Sequence, residues 1–313
     1  MYLNRFSDNL DALNMTTTEE YASLSQSADD LGIPYPPSIR YESRNVVFRH
    51  QRFHYLNWGD KNKSPVLLLH GGNQSAHSWD LVSLNLSRRH QVFALDQRGH
   101  GDSEWNRGAH YGIDEMALDA GVFIDNENLI KPVVVGHSMG GLVTLAMVLS
   151  DPGKLGACVV VDIGPEVGAG GKEMIRNFVG KNIEFDNMET FLDRVEKYDP
   201  YRSRQHIERT LKYNLIRRAD GKFVSKADRR RYKDGAAELP ELKQLEALDL
   251  PVLIVRGANS NVLEREAAER FVDRLPQGEL VEVPNCGHNV ASQNTLGFLA
   301  VLNKFLEQYE KSV

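Results

Sequence analysis

Short apolar runs recur along the chain, with room for a helix between most of them. Val66–Leu69, Val92–Leu95, Val133–Val135, Ala157–Val161 and Val252–Val255 are continuously apolar, and Leu280–Val283 closes the series. Val46–Phe48 and Phe53–Trp58 read as two further strands ahead of them. Runs that are continuous rather than alternating predict parallel strands covered on both faces. Helix-period segments lie between them, at Trp79–Arg88, Asp114–Asn128, Met139–Leu149, Arg265–Leu275 and Leu296–Tyr309. This alternation predicts an α/β fold with a mostly parallel sheet of about eight strands and helices on both faces. Ligands in such sheets bind beyond the carboxyl ends of the strands, so the residues just after each run are where chemistry is expected.

The rhythm stops between Gly164 and Leu250. That stretch holds helix-like pieces and an Ala219-Asp220-Gly221-Lys222 turn signal but no long apolar strand, which predicts a cap inserted at residues 165–240 over the strand ends. Residues 1–44 read as an N-terminal arm ahead of a domain spanning 45–313. Within the arm, Thr16 to Asp30 can form a helix with Glu19 and Glu20 in its first turn, and Pro34, Pro36 and Pro37 then impose an extended connection.

Length and charge narrow the picture. A chain of 313 residues can bury one large core without staples. The net charge of −6 argues against a dedicated nucleic-acid binder. It hides an asymmetry, because residues 172–233 carry 17 basic and 10 acidic side chains while the remainder nets −13. A solvated cap surface accounts for this, and a sharper reading is a small-molecule substrate bearing a carboxylate. Two distant cysteines, Cys158 and Cys286, exclude a disulfide scaffold and fit a reducing compartment. The first residues lack the pattern of a secretory signal, and no run approaches the ~20 apolar residues of a membrane span. The expectation is a cytoplasmic protein without nucleic-acid or membrane partners, monomeric or homodimeric.

Chemistry enters after the Val133–Val135 run, with Gly136-His137-Ser138-Met139-Gly140-Gly141 opening an apolar helix. A G-x-S-x-G between strand and helix forms a sharp turn that projects the serine hydroxyl outward, which makes Ser138 the candidate nucleophile. The candidate base is His288, in Pro284-Asn285-Cys286-Gly287-His288-Asn289, because a loop after the last strand returns to the same edge. Backbone N–H groups for an oxyanion are expected from Met139 and from the His70-Gly71-Gly72-Asn73 loop, with Gly72 ahead of Asn73. The chain lacks H-E-x-x-H, paired C-x-x-C, a P-loop and a dinucleotide fingerprint, so neither metal nor cofactor is called for. Cys286 reads as a packed residue rather than a thiol nucleophile.

Together with Asp96-Gln97-Arg98-Gly99-His100-Gly101-Asp102-Ser103 and the cap stretch Tyr213–Lys222, these motifs resemble the α/β-hydrolase superfamily over about residues 45–310. The resemblance implies that fold, a helical cap and a serine–histidine–acid mechanism, with a mostly structural Asp96–Ser103 segment. One departure concerns the acid. Many members carry an aspartate after the seventh strand, where this chain has Asn261, and an amide cannot offset an imidazolium charge. Asp162, after the sixth strand, is the substitute, as in some esterases of the superfamily, with Glu166 and Glu264 as outside candidates. The expected activity is cofactor-independent hydrolysis of a carboxylic ester. Lactone hydrolysis, C–C hydrolysis and perhydrolysis use the same constellation, and a receptor that keeps the pocket without catalysis is the reading from another class.

Overall fold

The computed structural model describes residues 17–38, 40–168, 170–171, 184–197, 199–232 and 240–312. Numbered in chain order, its strands are β1 (Tyr41–Phe48), β2 (Gln51–Trp58), β3 (Pro65–Leu69), β4 (Gln91–Leu95), β5 (Val133–His137) and β6 (Ala157–Val161). β7 (Glu184–Phe185), β8 (Leu215–Arg217) and β9 (Phe223–Ser225) follow in the insertion, then β10 (Val252–Gly257) and β11 (Gly278–Val283). Eight of them form one sheet in the order β1-β2-β4-β3-β5-β6-β10-β11. The pairs β1/β2 and β2/β4 are antiparallel, and the rest are parallel.

The inner strands β3, β4, β5, β6 and β10 are buried on both faces, which is why they read as unbroken apolar runs. Leu67, Leu69, Phe93, Leu95, Val134, Val160 and Ile254 share one hydrophobic core with α3 (Ile113–Asn126), α4 (Met139–Ser150) and α7 (Arg265–Val272). Val66, Leu68, Val92, Val135, Val159 and Val255 share a second core with α1 (Thr17–Asp30), α2 (Asp80–Leu86) and α8 (Thr295–Ser312). In α3 the buried Met116, Ala117, Ala120, Phe123 and Ile124 follow the helical period and turn one face inward.

The described part of the N-terminal segment, expected as an arm, packs against the domain. Leu24 and Ala28 of α1 are fully buried in the second core, and the boundary expected after residue 44 falls inside β1. β1 starts early because its ladder runs from Tyr41 opposite Trp58 to Phe48 opposite Gln51, with the Tyr41 and Trp58 rings 4.5 Å apart. Its residues are largely exposed, so hydrophobicity could not mark its start.

The insertion follows β6 and is mixed rather than helical. α5 (Met188–Glu196) and α6 (Arg204–Leu211) pack through Leu192, Val195 and Ile207. β7, β9 and β8 form a small antiparallel sheet around Phe185, Leu215 and Phe223. Its strands are only two or three residues long, too short to register as apolar runs. The expected turn joins β8 to β9, with Gly221 at φ +87° and the Arg218 N–H donating to the Lys222 carbonyl at 2.8 Å. Among the described residues no helix is long and apolar enough to cross a membrane.

Candidate active site

Ser138 stands between β5 and α4 at φ +52°, ψ −117°, a left-handed conformation that a non-glycine residue holds only under constraint. Its neighbours explain how the turn closes. A side chain at Gly136 would overlap the Gly140 carbonyl, one at Gly140 the Leu69 carbonyl at the end of β3, and one at Gly141 the Ile163 side chain. The glycine spacing is therefore a packing requirement as well as a motif. The Ser138 N–H donates to the Val161 carbonyl at 3.0 Å, tying the turn to the end of β6.

Parallel register then assembles the site. His137 of β5 lies opposite Val161 of β6, and Val161 opposite Val255 of β10, so Ser138, Asp162 and the β10 loop emerge at one level. The loop after β11 brings His288 back to that level. Its Nε2 lies 2.9 Å from Ser138 Oγ and its Nδ1 2.8 Å from Asp162 Oδ2. Asp162 is fully buried, and its carboxylate also accepts from the Gly257 N–H at 2.9 Å and from the Ser260 hydroxyl. Asn261, by contrast, is exposed. Glu166 pairs with Arg270 at 2.7 Å and Glu264 precedes α7 as an exposed residue, so the structure brings neither to His288.

The elbow histidine packs under His288. His137 Nε2 donates to the His288 carbonyl at 2.9 Å, and the two rings are 4.9 Å apart. Burial, reinforced by the nearby His288, pushes the His137 pKa down to about 3 and keeps it neutral. The loop with the expected oxyanion donors lies against this ring: a side chain at Gly71 would come within 2.7 Å of His137 Nδ1. Gln74 pins that loop, accepting from the Gly71 N–H at 2.9 Å and donating to Asn289 Oδ1 at 3.2 Å. Gly72 and Asn73 are partly exposed between them, Asn73 at φ +61°, and Met139 opens α4, whose first N–H groups lack helical partners. Cys286 is buried, with its thiol raised to about 11 by burial and donating to the Val283 carbonyl, which suits packing rather than nucleophilic attack.

A second serine–histidine–aspartate contact occurs elsewhere. Ser43 Oγ lies 2.8 Å from His54 Nε2, and His54 Nδ1 lies 2.7 Å from Asp96 Oδ2. Asp96 also accepts from the Ala76 and Asp102 N–H groups at 2.6 and 2.9 Å. Burial raises the Asp96 pKa, but His54 and the other donors outweigh it and bring it down to about 2. This aspartate fastens the segment after β3 to the Asp96–Ser103 loop. Ser43 sits mid-ladder in an ordinary strand, without a strained turn or helix N-terminus behind it, so the contact is structural. The same carboxylates leave little for a metal ion, since Asp102 also pairs with Lys226 at 2.6 Å.

Ser260, Gly257, Gln74 and His137 escaped the sequence reading as site residues. Each acts through its distance to a residue remote in sequence. The only local hint lay in their position directly after strands or within the elbow.

A family model for the α/β-hydrolase fold matches residues 64–295. An esterase of Mycobacterium tuberculosis is 27% identical over 94% of this chain and 97% of its own length. A 3-hydroxybutyrate-oligomer hydrolase of Cupriavidus necator is 27% identical over 76% of this chain and 87% of its own. The crystal structure of the mycobacterial esterase superimposes with a TM-score of 0.75 at 24% identity, covering 94% of this chain and 99% of that one.

Proposed function

The chain belongs to the α/β-hydrolase family, and on that premise we propose that it is a serine hydrolase of carboxylic esters in which Ser138, His288 and Asp162 form the triad. One observation carries this reading: the unbroken contact from Ser138 Oγ through His288 to a fully buried Asp162, at a strained turn opening a helix.

Ser138 Oγ attacks the ester carbonyl as His288 Nε2 takes its proton, and the Asp162 carboxylate at Nδ1 supports the imidazolium that forms. The N–H groups of Met139 and Gly72, with Asn73 as the neighbouring donor, receive the charge on the carbonyl oxygen. Losing one such donor costs about 3–4 kcal/mol of transition-state stabilisation. His288 returns the proton to the departing alcohol, then activates a water that releases the acyl group and regenerates Ser138. No step calls for a metal or cofactor.

An ester heads the substrate classes because the relative matching nearly the whole chain is named an esterase. Other relatives are named for different chemistry, among them a 2-hydroxy-6-oxo-2,4-heptadienoate hydrolase of Pseudomonas putida. A carboxylate-bearing substrate is supported by the basic surplus of the cap alone. Many of its described cations are engaged in ion pairs, Arg204 with Glu189, Asp193 and Glu196, and Arg230 with Asp228. If the surplus acts at the mouth, raising the salt lowers kcat/KM for anionic esters and leaves neutral esters unchanged.

The triad is tested with p-nitrophenyl esters and a fluorophosphonate probe. Wild-type protein should be labelled at Ser138, and Ser138→Ala should lose both labelling and turnover. Asp162→Asn should lower kcat by about 10⁴-fold, while Asn261→Ala stays near wild type. Near-normal turnover of Asp162→Asn would refute the acid assignment, and unlabelled, folded wild-type protein would favour a non-catalytic receptor.

A further inference from the structure

The catalytic histidine is carried by a short loop, and that loop is held from two sides. Inside the domain, His137 donates to the His288 carbonyl, the Asn259 N–H donates to the Cys286 carbonyl at 2.9 Å, and Asn294 Nδ2 donates to the Pro284 carbonyl at 2.8 Å. The other hold comes from the cap, through one side chain. Gln293, in the helical turn Val290–Gln293 just beyond the loop, accepts from the Gly287 N–H at 2.7 Å through Oε1. Its Nε2 donates to Asp199 Oδ1 at 3.1 Å.

Asp199 is a junction of the cap. It is 3% exposed, and its N–H donates to the Val195 carbonyl in α5 at 3.0 Å. Its second oxygen accepts from Arg202 Nε at 2.6 Å, and the same guanidinium reaches Thr210 Oγ1 in α6 at 3.2 Å. Next along, the Tyr201 hydroxyl accepts from Asn259 Nδ2 at 3.0 Å in the loop after β10, the loop that also supplies Ser260 to Asp162. The segment 199–202 thus meets both loops that position the triad, and α5 and α6 converge on the carboxylate bound to Gln293.

We propose that Gln293 is a positioning residue that couples the seating of the cap, through Asp199, to the placement of His288. The inference rests on the reading of His288 as the general base. A glutamine suits this place because both halves of one amide are used. The oxygen fixes the peptide immediately before the base, and the nitrogen requires a carboxylate on the cap. A displacement of the cap junction pulls on Gly287 and opens the 2.9 Å contact between His288 and Ser138, and reactions of this kind lose about 100-fold for a misplacement of 1 Å. The hydrolytic site is then fully assembled only when the cap is seated.

The test uses the full chain, p-nitrophenyl butyrate and a fluorophosphonate. Gln293→Glu keeps an acceptor for the Gly287 N–H, removes the donor to Asp199 and sets a second carboxylate against it. It should lower kcat by about tenfold and slow Ser138 phosphonylation in parallel, with KM changed much less. Adding Asp199→Asn supplies an amide donor to the new carboxylate, reversing the polarity of the bond, and should restore most of both rates. Gln293→Met, which cuts both bonds without a charge, should show the same loss and no rescue by Asp199→Asn. Wild-type rates in Gln293→Glu and Gln293→Met, or a Gln293→Glu loss untouched by Asp199→Asn, would overturn the coupling. If wild-type protein itself escapes phosphonylation, the serine-hydrolase reading fails instead, so the two failures are distinguishable.

Discussion

At the scale of single residues, the contrast between Asp162 and Asn261 shows what a sequence pattern holds. Ser138 and His288 stood out because a strained turn needs glycines on both sides and the loop after the last strand returns to the same edge. Asp162 follows as the candidate acid from register, since adjacent parallel strands end side by side and its strand neighbours that of Ser138. The partners of Asp162 could not be read in this way, because nothing near Ser260 announces that its hydroxyl is aimed at a residue 98 positions earlier. That hydroxyl is one of three donors to the buried carboxylate, beside the Gly257 N–H and His288 Nδ1. Ser260→Ala withdraws one of them from a fully buried carboxylate. It should cost about 1–3 kcal/mol of stability in urea unfolding and lower kcat, whereas Asn261→Ala at the exposed neighbouring position should change neither. Equal effects at the two positions would mean that Asp162 does not depend on the β10 loop.

At the scale of elements, legibility followed burial. Strands buried on both faces wrote themselves as apolar runs, and helices with one buried stripe wrote a 3.6-residue period. β1 and the short cap strands, exposed or only two or three residues long, left no such trace. The N-terminal helix was visible as a helix, but its attachment was not, since beside the buried Leu24 and Ala28 it rests on charges. Glu20 of α1 is buried and takes Arg209 of α6 at 3.1 Å and Lys212 at 2.9 Å. Arg209 also reaches Asp80 at the start of α2, 2.9 Å away, and His77 Nδ1 lies 3.1 Å from the same Asp80. Burial works against the Asp80 carboxylate, yet His77 and Arg209 together hold its pKa below the ordinary value. Two carboxylates and two cations thus clamp the N-terminal helix, the cap and the segment that follows the His70–Asn73 loop. Removing one member of such a group strands the others, at a typical cost of about 3–5 kcal/mol. Glu20→Ala should shift the urea midpoint accordingly and expose the cap to limited proteolysis, and Glu20→Gln should do so less. An unchanged midpoint in Glu20→Ala would return α1 to the status of an appendage.

At the scale of the whole molecule, buried histidines set how the fold responds to acid. Burial drives His206 of the cap to about 3, with Arg202 and Arg209 adding to the effect, and His137 beside His288 lies at the same level, against an ordinary value of 6.5. Both are neutral in the folded chain at pH 5, where the unfolded chain protonates them. A folded pKa below the unfolded one means that the stability is fully present above pH 6.5 and is lost as the pH falls toward 3. Each histidine contributes a slope of up to about 1.4 kcal/mol per pH unit, so the pair removes about 4 kcal/mol between pH 7.5 and pH 5. Asp96 acts in the same direction but lower, since its folded value of about 2 lies under the ordinary 3.8, and its share is lost only as the pH falls through that interval. Urea unfolding at a series of pH values should therefore show stability declining from about pH 6.5 downward, well before the carboxylates titrate. His206→Gln removes one of these protonation sites far from Ser138, and should lessen that decline by about 2 kcal/mol between pH 7.5 and pH 5 while leaving the pH dependence of kcat in place; the buried His90, also lowered by burial, keeps its share. An undiminished slope in His206→Gln would mean that the imidazole keeps its proton inside the cap, and that the acid response lies with the other buried histidines, His137 and His90.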